Sequence, residues 1–422
     1  MTADLHALTE ALKAAWRRSD QLFTLLPQAA LHERPIGQRH PFLFYLGHLP
    51  AFAWNQLGRG VLGRPPLDPR LDRLFERGID PPDPCAAPAL TAWPSLTAVL
   101  DYRDAARAAV QGQLPELLRA LHDRPDDPLI QRARVLHLVL EHELMHHETL
   151  LYMFAQREGE PLARPPEIPA PEGGDGRRAE VHEIPAGPIY LGAEWHETEF
   201  GWDNEFSRHR VDLPAFRLDT LPVRNRDWLD FYRRRSAPPQ LFPRSWSRAP
   251  AGLHVRTVFG LHPFELAAGW PVQVSGAQAR IYAEAHGARL PTEAELHRAA
   301  LTAPDQRSRP AEPPRSSACD LRRFFPAPVG HDPASASAWG AEELLGNGWE
   351  WTSTLFAPYP GFTPWARTYP GYSADFYDGD HDVVVGASWA TDIRLLRPSF
   401  RNWYRRDYPY PFTSFRLVHS TS

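Results

Sequence analysis

The sequence predicts an α+β protein of two domains, a helical bundle followed by a compact mixed domain rich in irregular structure. Three observations carry that prediction. A chain of 422 residues exceeds what one ordinary hydrophobic core organises. Its first third shows apolar residues at helical spacing, whereas later segments are short and β-like. Between the two textures lies EGEPLARPPEIPAPEGGDGRRAE, Glu158 to Glu180, a Pro/Gly/Glu stretch with the composition of a linker. The expected division is therefore a bundle over 1–157, a linker over 158–180 and a second domain over 181–422.

In chain order, Leu5, Leu8, Leu12, Ala15 and Trp16 recur at helical spacing with charges between them. This predicts a first helix over Asp4–Leu26, and the interrupted apolar pattern argues against a secretory signal. Further helices are expected over Pro41–Gly58, Ser95–His122 and Pro128–Arg157, each preceded by a Pro-rich or polar break. After Val181, HEIPAGPIYLG and VDLPAFRLD read as strands. One helix is expected around Ser275–His286, and another from Thr292, which stands three residues before Glu295 in the spacing of a capping box. The 45 prolines and 14 tryptophans point to long, ordered loops.

Composition excludes several functions. Forty-six basic against 51 acidic residues, a net charge of -5, with no long run of one sign, gives no footprint for nucleic acid or an anionic membrane. No apolar run approaches a membrane span. The two cysteines, Cys85 and Cys319, form no CxxC pair and fit a reducing, cytoplasmic setting. Small molecules are the expected partners, and oligomeric state is not legible.

The chemistry concentrates in LEHELMHHETLLYM, Leu140 to Met153. His142 and His146 share a stripe with Val135, Leu138, Val139, Leu150 and Met153, so both imidazoles project from one helical face into the bundle. Buried imidazoles need partners; a shared metal satisfies two at once, the alternative being hydrogen-bonded core histidines. His48, among Phe44, Tyr45, Ala51 and Phe52, is the best third ligand, with His40 and His147 behind it. Three nitrogen donors without a carboxylate would leave octahedral positions open, and would accept iron, zinc, copper or nickel. HExxH also permits a zinc hydrolase with Glu143 as general base. Glu143 is expected to be solvated, and Glu148 to orient a metal-bound imidazole from outside the ligand set.

The segments FGWDNE (Phe200 to Glu205), RLPTEAEL (Arg289 to Leu296), GNGWEWTST (Gly346 to Thr354), GASWAT (Gly386 to Thr391), RPSFRNWY (Arg397 to Tyr404) and FRLV (Phe415 to Val418) resemble, in order, a C-type-lectin-like domain of the formylglycine-generating-enzyme type. Oxidase members of that superfamily use cysteines near the C-terminal end; none follows Cys319 here. Together with the HxxxHxE pattern of His142, His146 and Glu148, which resembles a DinB-like four-helix bundle, the chain is similar to the sulfoxide synthases of ergothioneine biosynthesis. The resemblance implies a non-heme Fe(II) centre on His48, His142 and His146 that binds hercynine, the trimethylated betaine of histidine, and a thiolate, and uses dioxygen to form a carbon–sulfur bond. It places Asn402 and Trp403 at the hercynine site and makes a loop tyrosine the proton donor, for which Tyr404, Tyr372 and Tyr369 are candidates.

Synthases that use γ-glutamylcysteine resemble RNWD where this chain has Arg401-Asn402-Trp403-Tyr404, and carry arginines in the segment corresponding to Gly78–Tyr102, which here has neither Lys nor Arg. A dianionic peptide thiol is thus a poor fit, leaving cysteine or a selenosugar. Arg39–Asn55 and Leu74–Asp83 resemble the selenoneine synthases, a sister group on the same plan. The resemblance therefore implies carbon–selenium bond formation between hercynine and a selenosugar, with a sulfoxide synthase using cysteine, or less readily γ-glutamylcysteine, as the alternative; HExxH keeps a zinc hydrolase as a remote one, and the lectin-like fold a non-catalytic binding module.

Overall fold

The computed structural model describes residues 5–76, 93–301, 318–365 and 372–420. Two compact units divide at Leu162/Ala163, giving the α+β architecture expected. The first unit is helical: α1 (Leu5–Thr24), α2 (Phe42–Ala53), α3 (Pro69–Leu74), α4 (Leu96–Gly112), α5 (Leu114–Asp123) and α6 (Arg134–Ala155). No helix among the described residues is long and apolar enough to cross a membrane.

The helix expected over Ser95–His122 is two. Helix α4 closes on Gln113, whose N–H reaches Ala109 O, and Pro115, which has no N–H to donate, sits at the start of α5. The helix expected from Pro128 begins only at Arg134, because Arg132 and Ala133 hold positive φ of 57° and 54°. Helix α3 was not anticipated; it is a short turn capped by Asp68, whose side chain accepts from the N–H groups of Arg70 and Leu71. Past Ala53 the chain continues as wide π-helical turns over Trp54–Val61. Gly58 is required there, since a Cβ would stand 2.6 Å from the Trp54 ring.

Every residue of α2 is buried, and α6 is buried on nearly all faces. These are the central helices: α1 packs on α6, while α2 packs on α4 and α6. Most polar groups on α6, among them His142, Glu143, His147 and Glu148, are therefore buried in protein, which sets the electrostatics described below.

In the second unit β1 (Val181–Ile184), β2 (Gly187–Leu191), β3 (His209–Leu213) and β4 (Phe216–Asp219) are followed by α7 (Asn225–Arg234), then β5 (Trp246–Ala249), β6 (Gly252–Thr257), β7 (Gly260–Pro263), α8 (Phe264–Ala267) and α9 (Gly276–Ala285). The unit continues through β8 (Ala288–Arg289), α10 (Glu293–Leu301), β9 (Gly348–Leu355), β10 (His381–Ala387), β11 (Asn402–Arg405), β12 (Thr413–Ser414) and β13 (Val418–His419). One sheet runs β1-β4-β13-β8 and another β11-β10-β9-β12; β2 pairs with β3, and β5-β6-β7 form a meander. The capping box expected at Thr292 forms, and the helix expected around Ser275 proves to be capped as well. Ser275 Oγ accepts from Gln278 N, and Thr292 Oγ1 accepts from Glu295 N while Glu295 Oε2 accepts from Thr292 N at 2.7 Å. Residues 163–180 strap onto this unit, with Glu172 O accepting from Trp270 Nε1 and the carbonyls of Asp175 and Gly176 accepting from Arg224.

Three buried ion pairs join segments distant in sequence. Glu205 of FGWDNE accepts from Arg397 Nε at 2.8 Å and from Ser399 Oγ at 2.6 Å. Glu293 of RLPTEAEL accepts from Arg401 Nε at 2.8 Å, with the Tyr359 hydroxyl donating to the same carboxylate. Glu350 of GNGWEWTST takes both ends of the Arg416 fork at 2.7 and 2.6 Å, and Arg416 also donates to the carbonyls of Thr220 and Glu342. The recurrent motifs are thus the two halves of buried pairs, a bidentate geometry in which each charge depends on the other. Replacing Arg416 by Met is expected to leave Glu350 buried and uncompensated at a cost of about 3–5 kcal/mol, read as a lower midpoint in chemical denaturation.

Candidate metal centre

Helix periodicity places His142 and His146 one turn apart on α6, and His48 faces them from α2. The structure brings the three together: one nitrogen of each lies within 4.8 Å of the others, and His48 Nε2 stands 3.2 Å from His142 Nε2. Among the described residues no carboxylate belongs to the group. His48 and His142 are fully buried, while His146 keeps partial exposure, so the centre is closed on the side of the first two rings.

Their environment keeps all three neutral. Burial pushes His48 down to about 4, against the opposing pull of the Phe75 carbonyl. Burial, reinforced by the neighbouring histidines, holds His142 and His146 well below the usual range. A neutral imidazole has one lone pair to give, and the hydrogen bond at its other nitrogen decides which. His48 Nδ1 is 2.7 Å from Phe75 O; a carbonyl only accepts, so Nδ1 carries the hydrogen and Nε2 presents its lone pair to His142. Aromatic rings wall the imidazoles in: Phe52 stacks on His142 at 3.5 Å and 7°, and Phe44 on His48 at 5.1 Å and 17°.

These residues fit a divalent metal. With metal–nitrogen bonds of about 2.1 Å, adjacent ligand nitrogens of an octahedron stand about 3 Å apart, the spacing seen between His48 and His142. A lone pair aimed at another ring nitrogen at that distance, in a dry site, requires a proton or a cation between them.

The other residues of the HELMHHE segment face elsewhere. Glu143 is not solvated as the sequence suggested; helix α1 covers that face of α6 and leaves it 1% exposed. Ser19 of α1 donates to Glu143 and lies 2.9 Å from His147 Nε2. Burial raises the Glu143 carboxyl to about 7, against the pull of Arg107 and Ser19. His147 thus belongs to this second cluster, and His40 stacks on Phe44 at 4.0 Å; neither joins the triad. Glu148 is buried, but outside the converging group.

In the second unit Asn402, Trp403 and Tyr404 lie on the edge strand β11, opposite Val384, Val383 and Asp382 of β10. Strand alternation puts Asn402 and Tyr404 on one face and Trp403 on the other. Asn402 Nδ2 is 3.4 Å from the Tyr404 hydroxyl, and its Oδ1 accepts from the Trp403 N–H. Trp403 stacks on Phe356 at 4.1 Å and 8°, with Tyr372 edge-on at 5.4 Å; Tyr372 in turn stacks on Trp202. The two candidate tyrosines therefore occupy opposite faces of β11. Tyr369, Cys85 and residues 78–92 of the arginine-free stretch lie outside the described residues. Sequence reasoning missed the Phe75 carbonyl, which no side-chain pattern could reveal, and the Ser19–Glu143–His147 cluster, for which the i, i+4 spacing of Glu143 and His147 was the available sign.

Comparison with known proteins gives the same two parts. Residues 171–421 match the sulfatase-modifying factor enzyme 1-like domain and residues 11–150 the DinB superfamily. The hercynine oxygenase of Mycolicibacterium smegmatis is 41% identical over 66% of this chain and 69% of its own length. The ergothioneine biosynthesis proteins 1 of Neurospora crassa and Schizosaccharomyces pombe are 30% and 29% identical over 97% of this chain, which spans 57% and 55% of their lengths. With a matched domain over more than half the sequence, a second one covering the bundle, and three imidazoles converging between two helices of that bundle, the chain belongs to the sulfatase-modifying factor enzyme 1-like family, in the ergothioneine-type sulfoxide synthase branch that joins this domain to a DinB-superfamily bundle.

Proposed function

We propose that the protein is a non-heme iron(II) enzyme that uses dioxygen to form a carbon–chalcogen bond on the imidazole of hercynine. The observation that carries this reading is the set of three neutral imidazoles, two of them buried, with no carboxylate among them in the described residues, together with relatives named hercynine oxygenase and ergothioneine biosynthesis protein 1. Iron(II) held by His48, His142 and His146 would supply open positions where dioxygen and the two substrates meet.

The chain's own residues set the conditions. Phe44 and Phe52 exclude water from the buried side of the triad and fix the planes of two rings. Asn402 and Trp403 are proposed to hold the betaine, the indole offering an aromatic face to the trimethylammonium group. For the proton, Tyr404 has a specific arrangement in its favour: with Asn402 Nδ2 approaching its oxygen, the hydroxyl hydrogen is directed elsewhere. Tyr372, packed on Trp202, is the second candidate.

The chalcogen donor has two readings. The relatives named for ergothioneine support sulfur, and the poor fit of a dianionic peptide thiol makes cysteine the thiol of that reading. The resemblance of Arg39–Asn55 and Leu74–Asp83 supports a selenosugar and hence selenoneine formation, while Tyr404, standing where the enzymes of γ-glutamylcysteine have an acid, fits either donor.

Iron(II)-reconstituted protein, given hercynine with an equimolar mixture of cysteine, γ-glutamylcysteine and a 1-selenosugar in air, is expected to yield an oxygen-dependent hercynine adduct by mass spectrometry. A selenium isotope pattern assigns the selenosugar, a sulfur adduct the thiol, and no adduct overturns the proposal. Tyr404→Phe is expected to lower turnover by about 10²–10⁴-fold while leaving iron content unchanged; if Tyr372→Phe alone has that effect, the proton donor is Tyr372. Glu143→Gln is expected to keep wild-type iron content and turnover within about tenfold, whereas a hydrolase using Glu143 as its base would lose about 10²–10⁴-fold.

A further inference from the structure

The imidazole of His48 is set by a backbone carbonyl, and a carbonyl is only as well placed as the chain that carries it. Phe75 is the residue that ends α3, a helix of six residues. So short a helix cannot hold its own geometry in water, so something else must hold Phe75 O at 2.7 Å from His48 Nδ1.

Among the contacts that do so, two come from Tyr102 on α4. Its hydroxyl donates to Asp72 Oδ1 at 2.7 Å in a buried setting, and its ring packs 5.9 Å from the Phe75 ring. Asp72 lies within α3, is 1% exposed, and its second oxygen accepts from the Leu67 N–H at 3.1 Å. One carboxylate thus ties the residues leading into α3 and the body of α3 to a single phenol on α4. On the other side the Phe75 ring lies against the backbone of α2 at Gly47, where a Cβ would stand 2.5 Å from ring atoms. Gly47 directly precedes His48, so the absent side chain is what lets Phe75 approach the helix that carries the imidazole.

We infer that Tyr102 and Asp72 are positioning residues for the candidate metal centre: through α3 they hold the Phe75 carbonyl on His48 Nδ1, and so fix the tautomer and ring orientation that present Nε2 to the metal. Neither residue touches the triad, and neither belongs to the histidine pattern visible in the sequence. Partners outside the ligand set tune affinity strongly because a ligand that must be reoriented loses binding free energy on each metal encounter.

The inference rests on the triad holding a divalent metal, and the test separates the two statements. Co(II) is titrated into wild-type apoprotein, Tyr102→Phe, Gly47→Ala and Arg157→Met, with affinity from chelator competition and the visible Co(II) bands recorded. Far-UV circular dichroism confirms that each is folded. Gly47→Ala displaces Phe75 by a route independent of Asp72, and serves alone if Tyr102→Phe does not fold. Arg157→Met breaks the ion pair to Glu33 and loosens the bundle away from Phe75. Tyr102→Phe and Gly47→Ala are expected to weaken Co(II) binding by about 10- to 100-fold and to change the Co(II) bands, while Arg157→Met retains wild-type affinity and spectrum. Wild-type affinity and spectrum in folded Tyr102→Phe and Gly47→Ala overturn the positioning role, as does an equal loss in Arg157→Met. Failure of the wild type itself to bind Co(II) or Fe(II) overturns instead the metal reading on which the inference stands.

Discussion

In the second unit, ionic groups removed from water must find their partners inside the protein, and the three buried arginine–glutamate pairs meet that demand while organising everything around them. Much of this unit is loop, with strands as short as two residues at β8, β12 and β13, so regular ladders supply little of its order. Glu205–Arg397, Glu293–Arg401 and Glu350–Arg416 instead join segments between 66 and 192 residues apart. Desolvating either partner alone would cost several kcal/mol, so the loops carrying them have one arrangement in which all three pairs close. The edge strand β11 follows directly on Arg397 and Arg401, and the placement of Asn402, Trp403 and Tyr404 is inherited from those two pairs.

The same constraint, applied to imidazoles, shapes the bundle. Helices α2 and α6 are buried on almost every face, yet carry His48, His142, His146, His147 and Glu143. The protein divides these groups between two sides of α6. On one, Ser19 bridges Glu143 and His147. On the other, the Phe75 carbonyl occupies one nitrogen of His48, and the remaining lone pairs converge on a point that suits a cation. Burial performs both tasks: it keeps the rings neutral, and it removes the water that would compete for their lone pairs.

This partition bears on function. HExxH is shared with zinc hydrolases, but there the glutamate must reach a metal-bound water, and here it is hydrogen-bonded to α1. A ligand set of three neutral nitrogens would retain the full charge of a divalent ion and leave positions open, as the proposed reaction requires. The relatives named for hercynine and ergothioneine fit the chemistry proposed for this centre.

The sequence by itself determined the two-domain α+β plan, the helical face shared by His142 and His146, the candidacy of His48, the helix over Ser275–His286 and the capping box at Thr292. All of these are written in local periodicity and side-chain chemistry. Helix boundaries were less legible: the break at Gln113, the delayed start at Arg134 and the short α3 depend on single backbone conformations that propensity does not resolve. Only the tertiary structure decided that Glu143 is buried, because solvation on one face of α6 depends on whether α1 covers it. It alone placed Asn402 and Trp403 on opposite faces of β11, since alternation acts only once the segment is a strand. It also supplied the Phe75 carbonyl, a group that every residue carries and that gains a role only through its position in space.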